Sequence, residues 1–287
     1  MISDIQSPPA VLRAAGGLRL LTWPALDASG VTAAVTARDG GVSGGPYATL
    51  NLSLSVGDEP SRVLENRRRL AAALGASLDD FVFARQVHGA GVRVVTGADR
   101  GSGAFSLDDA MESVDALVTA TPGVTLAILT ADCLPIVLHD PAAGVLACVH
   151  AGWRGTVAGV AAAAVAAMKE LGSRPSDLVA GLGPAIDGDR YQVGPDVHEA
   201  VTAAFGAAAA FLQPDRRPGR RPGAPADRWL LDLSAANRHA LREAGVPGGR
   251  IHASTIPTGT GAFFSDRAAR PCGRLALVAK LSRGGAR

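Results

Sequence analysis

Cysteine and histidine are scarce in this chain, yet both occur in the stretch LTADCLPIVLHDPAAGVLACVHAGWRGTVAGV, residues 129–160. The 287 residues include only three cysteines and six histidines. Cys133 follows the apolar run TLAILTA, and His150 ends the apolar run GVLACV. The segments LPIVLHD and GVLACVH flank a turn at 140–144, which predicts a hairpin. Its open end would bring Cys133 and His150 close together.

A metal site is the chemistry that these two residue types suggest, because a thiolate and a neutral imidazole are both good zinc ligands. His88, in RQVHGAGV, is a third candidate between a helix-and-strand unit and a new strand. Three protein ligands with a fourth position open are typical of catalytic zinc. Free cysteine, however, is among the most buried residue types and often only packs. From the residues alone, both interpretations stay open.

The sequence AGWRGT leads directly into an alanine-rich segment that we predict to be a helix from Thr156 to Gly172. A glycine-rich turn lets backbone N–H groups converge, and the first helical turn adds partial positive charge. Arg154 supplies a guanidinium suited to phosphate or carboxylate. A structural turn packed on Trp153 is the alternative, and the two roles are compatible.

The elements that must position these residues are short β-branched strands alternating with helical segments. Several strands are apolar throughout, which is expected where both faces of a sheet are covered. Two more helices are predicted, one from Pro60 to Gly75 and one from Ser234 to Gly245. The hairpin requires some antiparallel pairing. We therefore predict an α/β protein, a layered α/β/α sandwich with a mixed β-sheet in one domain.

Composition excludes several function classes. The net charge of +2 and the 19% of charged residues do not indicate nucleic acid or an anionic membrane as a partner. An odd number of cysteines argues against a disulfide scaffold and for a reducing cytosol. The N-terminus lacks the apolar core of a signal peptide, and the longest apolar run, VAGVAAAAVAAM, is too short for a bilayer. We predict a cytoplasmic protein whose partners are small molecules.

Two segments are set apart from the predicted core. Residues 1–15 are predicted to be a flexible N-terminal tail before a single domain at 16–287. Residues 213–228, QPDRRPGRRPGAPADR, are rich in proline, glycine and arginine and have no apolar period. They predict an exposed loop, with an anion-binding flap as the alternative.

Five blocks of the chain together resemble a known family. In order, they are QVHG, DALVTATPGVTLAILTADCLPIVL, HAGWRGTVAGV, GLGPAIDGDRYQVGPDV and FFSDRAARPCGRLALV. They are similar to the blocks of the laccase-domain family, whose members are called polyphenol-oxidase-like proteins, peptidoglycan editing factors and purine nucleoside phosphorylases. SGGPYATLNLSLSVGD and ENRRRL resemble its opening, so the resemblance runs from about Val31 onward.

The resemblance implies a site as well as a fold, the laccase-domain or cysteine-hydrolase-like fold. It implies that His88, Cys133 and His150 bind one metal ion, usually zinc. It also implies purine and phosphate contacts near Asn51, Arg67 and Arg154. The block GPAIDGDRYQVG departs from the family's GPxIGPxxYEVG, and a cysteine usual before FFS is absent. These departures concern the substrate side and not the three ligands.

Other residues near the ligands have competing interpretations. Cys148 shares a strand face with His150 and is either a fourth ligand or, as we favour, a packed thiol. Asp132 could hold the second nitrogen of a ligand histidine or cap the backbone. His139, at the far turn of the hairpin, is expected to face solvent.

We therefore predict a zinc-dependent purine nucleoside phosphorylase, acting on adenosine, inosine or methylthioadenosine, with adenosine deaminase activity. One alternative is an amidohydrolase that edits peptidoglycan precursors, with Cys133 as nucleophile and His150 as base. Another is a polyphenol oxidase with a single Cu²⁺, since two histidines and a cysteine also suit copper. A multicopper centre is not predicted, because the histidines form no His-x-His pair. A non-catalytic metal-binding module is disfavoured, since structural zinc usually has four protein ligands. The oligomeric state is not predicted.

Overall fold

A computed structural model of the protein describes residues 10–206, 210–217 and 228–282. The strands are β1 (Val11–Ala15), β2 (Leu18–Thr22), β3 (Val31–Thr36), β4 (Phe81–Arg85), β5 (Val92–Val94), β6 (Met111–Glu112), β7 (Ala116–Thr119), β8 (Thr125–Thr130), β9 (Leu134–Asp140), β10 (Val145–Ala151), β11 (Val179–Leu182), β12 (Gln192–Val193), β13 (Leu212–Pro214), β14 (Trp229–Leu231), β15 (Ile251–Ala253) and β16 (Leu275–Leu281). The helices are α1 (Pro24–Asp27), α2 (Pro60–Ala73), α3 (Trp153–Val157), α4 (Val160–Glu170), α5 (Pro195–Phe205) and α6 (Leu233–Glu243).

The first sheet has seven strands in the order β1-β2-β3-β16-β8-β4-β6. In that order, the first five strands, β1 to β8, pair antiparallel. The pairs β8–β4 and β4–β6 are parallel. One face packs against α2, because the apolar positions Leu70 and Ala71 of that helix join Leu20, Phe83 and Val278 in one cluster. The helical spacing of buried residues in α2 is thus matched to one face of this sheet.

The second sheet has six strands in the order β15-β11-β9-β10-β7-β5 and contains the hairpin. Strands β9 and β10 pair antiparallel from Val145 opposite Asp140 to Ala151 opposite Leu134. Their outer face packs on α4 and α6 through an apolar cluster that includes Val149, Val165 and Leu241. A third, small sheet, β12-β14-β13, packs with α5 beside this body.

The two large sheets pack face to face, and their inner faces share the largest apolar cluster. Leu21, Val35, Ile128, Leu146 and Cys148 all belong to this inter-sheet core. The layer order is therefore helix, sheet, sheet, helix. The predicted layered α/β class with mixed strand pairing is confirmed, and the structure adds a second sheet where one was expected. A strand that is apolar on both faces needs two covers, and one of them here is another sheet.

Four local predictions can be compared with the structure. Residues 11–15, placed in the flexible tail, form β1, which pairs with β2, while residues 1–9 lie outside the described residues. The exposed loop predicted at 213–228 falls mostly outside them too, and its first two residues belong to β13. The helix expected from Thr156 is split into α3 and α4 at Gly159, whose φ is +80°. Asp232, rather than Ser234, caps α6 by accepting a bond from the Ala235 amide.

Among the described helices, none combines the length and the apolar character needed to cross a bilayer.

Candidate metal centre

The open end of the β9–β10 hairpin carries two of the three predicted ligands. Cys133 directly precedes β9. His150 lies on β10, opposite Pro135 of β9. His88 comes from the loop that follows β4, on the other sheet. The ligand atoms of these three side chains all lie within 4.8 Å of one another, so the group could hold a metal ion. The structure thus brings together residues that are up to 62 positions apart in the chain (His88 to His150).

The carboxylate of Asp115 forms hydrogen bonds to His150 and to the loop that carries His88. Its carboxylate Oδ1 lies 2.8 Å from His150 Nδ1 and accepts a bond from the His88 amide at 2.9 Å. Its Oδ2 accepts from the Gly89 amide at 2.6 Å and from the Val87 amide at 3.3 Å. One buried carboxylate therefore orients the His150 ring and also holds the backbone of the His88 loop. This is the arrangement by which a carboxylate directs the other ring nitrogen of a histidine toward a metal.

The backbone around the group is unusual. His88 and Asp132 have φ values of +61° and +91°, the left-handed region that residues with a Cβ rarely adopt. Such conformations cost of the order of 1–3 kcal/mol each and are typical of functional sites. Gly152 packs directly on the group, since a Cβ there would lie 2.9 Å from Cys133 Sγ and 3.1 Å from a His88 ring carbon. Only glycine fits at this position without displacing a ligand.

The electrostatics favour a thiolate. Burial on its own raises the pKa of the Cys133 thiol, but hydrogen bonds and positive charge from His150 and His88 outweigh burial and lower that pKa. Burial likewise lowers the pKa of His150, yet its bonds to Asp115 and Cys133 reverse the direction and raise it. The thiolate is the form in which cysteine binds metals.

A cavity of about 560 Å³ is lined by these three side chains. Trp153, Ile186, Tyr191 and Leu233 add aromatic and apolar lining. Arg154, Arg267, Arg270 and Arg274 add basic lining. Its volume lies in the usual range of small-molecule sites. The site can therefore accept a flat apolar group and an anion close to the candidate ligands.

Arg154 lies where the glycine-rich turn predicted it. Helix α3 begins at Trp153 with Gly152 as its N-cap, so Arg154 is in the first turn. Its guanidinium carbon sits 4.4 Å from the centre of the Trp153 ring. Trp153 thus packs and supports the arginine, as both interpretations of the turn expected. The guanidinium remains at the cavity, where an anion could reach it.

Asn51 does not reach the cavity. Its side chain is fully buried, and its Nδ2 donates to the Ser53 carbonyl and to Asp58 Oδ2. Its Oδ1 accepts from the amides of Ser53 and Arg274. The purine contact expected at Asn51 stays a prediction, and in this structure every polar atom of the amide has a partner inside the protein. Asn51 instead positions the chain near Arg274.

Arg67 is also a structural residue. It lies on the buried face of α2 with Val63 and Leu70, at helical spacing, and is only 1% exposed. Its guanidinium donates to the carbonyls of Leu52, Gly103 and Ala104 and stacks on Phe83. Burial lowers its pKa to about 9. The phosphate contact expected at Arg67 stays a prediction, and the structure places Arg67 on the helix face that points into the core.

The methionine variant of Arg67 is therefore expected to affect stability and not substrate binding. Arg67→Met keeps the apolar volume but leaves three buried carbonyl oxygens without a donor. We expect the free energy of unfolding in urea to fall by about 3 kcal/mol or more. Arg68→Met, on the exposed face of the same helix, is the matched control and should change it by less than about 0.5 kcal/mol. A stable Arg67→Met protein that binds phosphate poorly would contradict this assignment.

Asp132 has a backbone role. Its Oδ1 accepts from the hydroxyl of Thr258, and its Oδ2 accepts from the amide of Arg267 at 2.7 Å. The carboxylate on the ligand histidine is instead Asp115. The backbone at Asp132 is left-handed, and its side-chain partners, Thr258 and Arg267, both lie in the segment that follows β15. Of the two roles considered for Asp132, the structure supports backbone anchoring.

Two other expectations can be compared with the structure. Cys148 packs in the inter-sheet core, and burial raises the pKa of its thiol far above the usual range, in agreement with a packed cysteine. His139 was expected to face solvent, but it is buried in β9, where its Nδ1 lies 2.9 Å from the Ser29 hydroxyl. The whole segment LPIVLHD, including His139 and Asp140, forms β9. The turn therefore begins one residue later than expected.

Three site residues were missed from the sequence. Asp115 stands at the start of the apolar run DALVTA, and an acid at the edge of a buried strand was the available signal. Tyr191 and Arg267 lie in the blocks GDRYQVG and FFSDRAARPCGR, which were used only for the resemblance. Their spacing along the chain contains no period that would place them at the cavity.

These features define a layered α/β protein in which a His/Cys/His group that could hold a metal lies at the base of a basic cavity. The chain belongs to the multi-copper polyphenol oxidoreductase laccase family, whose model matches residues 32–282. This confirms the resemblance seen in the sequence blocks.

Relatives of this chain have names that indicate enzymes. A purine nucleoside phosphorylase from Deinococcus radiodurans is 47% identical over 232 residues, 81% of this chain and 81% of that protein. An adenosine deaminase, RL5, from an unknown prokaryotic organism is 40% identical over 205 residues, 71% of this chain and 75% of that protein. The crystal structure of YlmD from Geobacillus stearothermophilus has a TM-score of 0.85 and 36% identity, covering 96% of this chain and 100% of that chain.

Proposed function

We propose that this protein is a zinc-dependent purine nucleoside phosphorylase that also deaminates adenosine. The observation that carries the proposal is the convergence of His88, Cys133 and His150 in a cavity that is also lined by aromatic and basic side chains. The names of the relatives from Deinococcus radiodurans and of RL5 support the two reactions. Inosine, adenosine and methylthioadenosine are the proposed nucleosides, and the cytoplasm is the proposed location.

The donor set fits zinc. Two imidazoles and one thiolate supply three ligands, and His150 is already oriented by Asp115. Three protein ligands leave one position for substrate, as in catalytic zinc sites. When bound there, zinc would supply Lewis-acid polarisation of a substrate oxygen. Cu²⁺ also accepts this donor set, so the metal must be identified by measurement.

The side chains of the cavity suit the parts of the reaction. The aromatic rings of Trp153 and Tyr191, which line the cavity, can hold a purine by stacking. The guanidinium of Arg154 can hold phosphate in place. In phosphorolysis a phosphate oxygen forms a bond to the ribose C1′ while the bond from C1′ to the base breaks. The electron pair leaves with the base, which takes up a proton.

Deamination would use the same group of His88, Cys133 and His150. Water adds to the amino-bearing carbon of adenine, and ammonia leaves as inosine forms. This reaction consumes no phosphate, so it reports on the metal site independently of the anion site.

Metal removal is the direct test. The purified protein should contain about one zinc per chain and release hypoxanthine from inosine only when phosphate is present. Removing the metal with a chelator should lower both phosphorolysis and deamination by at least about a hundredfold, and added zinc should restore them. Base release that persists at full rate in metal-free protein would overturn the proposal. Copper restoring activity where zinc does not would reassign the metal.

The amidohydrolase alternative is favoured by one observation. Asp115, His150 and Cys133 form a chain in which a carboxylate holds a histidine that is bonded to a thiol of lowered pKa, the arrangement of cysteine nucleophiles. A zinc-bound thiolate is a poor free nucleophile. Stoichiometric metal that protects Cys133 from alkylation would therefore exclude this alternative, whereas rapid alkylation of the protein as purified would support it.

The family description mentions several copper ions, which requires several ligand groups. Among the described residues, one cluster of at least three metal-ligating side chains is found, the group of His88, Cys133 and His150. This favours a single ion.

A further inference from the structure

The loop from Ser265 to Arg274 is held against the cavity at two points by buried side chains. The Arg267 amide donates to Asp132 Oδ2 at 2.7 Å, and the Arg274 amide donates to Asn51 Oδ1 at 2.9 Å. Asp132 directly precedes the candidate ligand Cys133. The two residues that the sequence suggested as contacts to substrate or metal therefore fix the position of an arginine-rich loop. Because the anchors bind backbone amides, they do not use the arginine side chains of the loop.

The arginines of this cavity differ in how their charge is balanced. Asp266 pairs with Arg270 at 2.6 Å and with Arg274 at 3.0 Å, so these two share one carboxylate. Across the parts of the chain that are described, Arg154 and Arg267 pair with no carboxylate. Each rests on an aromatic ring instead, Arg154 on Trp153 and Arg267 on Tyr191, with the guanidinium carbon 5.1 Å from the Tyr191 ring centre.

The Arg267 side chain makes few hydrogen bonds within the described part of the chain. One of its terminal nitrogens, Nη1, donates to the Gln192 carbonyl at 3.0 Å. A guanidinium has five N–H groups, so most of those of Arg267 make no hydrogen bond to the described residues. Two unbalanced guanidinium groups on one cavity favour binding of a doubly charged anion.

Tyr191 lines the same cavity as these two arginines. Burial, followed by the negative charge of Cys133, raises the pKa of its phenol to about 12, while Arg267 and Arg154 act in the opposite direction. The phenol is thus within electrostatic reach of both arginines and of the metal group. It stays protonated at neutral pH and can donate a hydrogen bond.

We propose that Arg267 and Tyr191, together with Arg154, form the binding site for inorganic phosphate beside the candidate metal. This rests on the proposed phosphorylase function and names the residues that select its anionic co-substrate. Two guanidinium groups neutralise the dianion, and the phenol donates a third contact. The site differs from the contacts expected at Asn51 and Arg67, which the fold uses internally.

The test is steady-state kinetics of the zinc-loaded full chain with inosine and phosphate. Arg267→Gln should raise the KM for phosphate by about 10- to 100-fold, because one charge-assisted contact is lost. Tyr191→Phe should raise it by about three- to tenfold. The phosphate-independent deamination of adenosine by Arg267→Gln should fall much less than phosphorolysis does, since the side chain and not the loop anchor is changed.

Arg174→Gln is the matched control, because Arg174 is 77% exposed, pairs with Asp177 and lies off the cavity. It should leave the KM for phosphate unchanged, which separates a local contact from loss of net charge. An unchanged KM for phosphate in Arg267→Gln would overturn the proposal. An equal loss of phosphorolysis and deamination in that variant would also overturn it, because the effect would then come from a displaced site.

A wild-type protein without phosphorolysis would sink the proposed function but would still allow the anion site to be tested. Phosphate, at constant ionic strength, should raise the Tm of the wild-type protein and raise that of the double variant Arg154→Gln with Arg267→Gln much less. Equal shifts in the two proteins would overturn the anion site.

Discussion

Replacing Cys133 by alanine is expected to remove both the bound metal and the enzymatic activity. The thiolate supplies the single sulfur ligand of the group, and two histidines alone bind zinc far more weakly. We expect kcat/KM for inosine phosphorolysis and for adenosine deamination to fall by at least about a thousandfold. Metal analysis of the purified variant should show loss of the ion, while the circular dichroism spectrum should be retained, because Cys133 lies in a loop before β9.

Cys148→Ala is the matched control for this variant. Cys148 is on the adjacent strand, but its thiol packs in the inter-sheet core and is not part of the group. This variant should keep its metal and its activity and lose only about 1 kcal/mol of stability. Full metal content in Cys133→Ala would contradict the ligand assignment. Loss of activity with the metal retained would point to Cys133 as a nucleophile instead.

The second large effect is expected for Asp115→Asn. Both oxygens of Asp115 are acceptors, one for His150 Nδ1 and the His88 amide and the other for the amides of Gly89 and Val87. Asparagine has one acceptor oxygen, so its NH₂ group must face donors on one side. The His88 loop or the His150 ring must then move. We expect the affinity for zinc to fall by about 10- to 100-fold and turnover at limiting zinc to fall with it.

Stability should change together with metal affinity, because the carboxylate is fully buried and holds two parts of the chain. The Tm of metal-free Asp115→Asn should drop by several degrees, as expected for donors left without an acceptor. Asp108→Asn, an exposed aspartate a few residues earlier, controls for the loss of one negative charge. A variant with wild-type zinc affinity and only lower stability would show that Asp115 supports the fold and does not orient His150.

The local structure around the ligands could be predicted from the sequence. The hairpin follows from two apolar runs flanking a turn. In the structure Ala151 lies opposite Leu134, which brings Cys133, the residue before Leu134, near His150. Helix α2 and the position of Arg154 at a helix start also follow from local signals, namely Pro60 and the glycine-rich turn. Each of these depends on residues close together in the chain.

The roles of Arg67 and Asn51 could not be predicted in this way. Arg67 is a charged residue on the buried face of a helix, and what it contacts depends on carbonyls about 15 and 36 residues away in the chain. A family block can indicate that a polar residue matters without indicating whether it contacts a ligand or the backbone. For both residues, the structure shows hydrogen bonds inside the protein, from Arg67 to three backbone carbonyls and from Asn51 to the backbone and to Asp58.

The sequence by itself determined the hairpin and the layered α/β class, because these depend on residue type and short-range period, while its resemblance to a known family indicated the candidate ligands. Only the tertiary structure decided that two sheets pack together, that His88 reaches the hairpin, and that Asp115, Tyr191 and Arg267 meet the group. The physical reason is that two apolar faces require a strand to be buried on both sides, but they do not specify whether a helix or another sheet packs on each side. A partner on a distant loop is chosen by how the sheets pack, which no local period encodes.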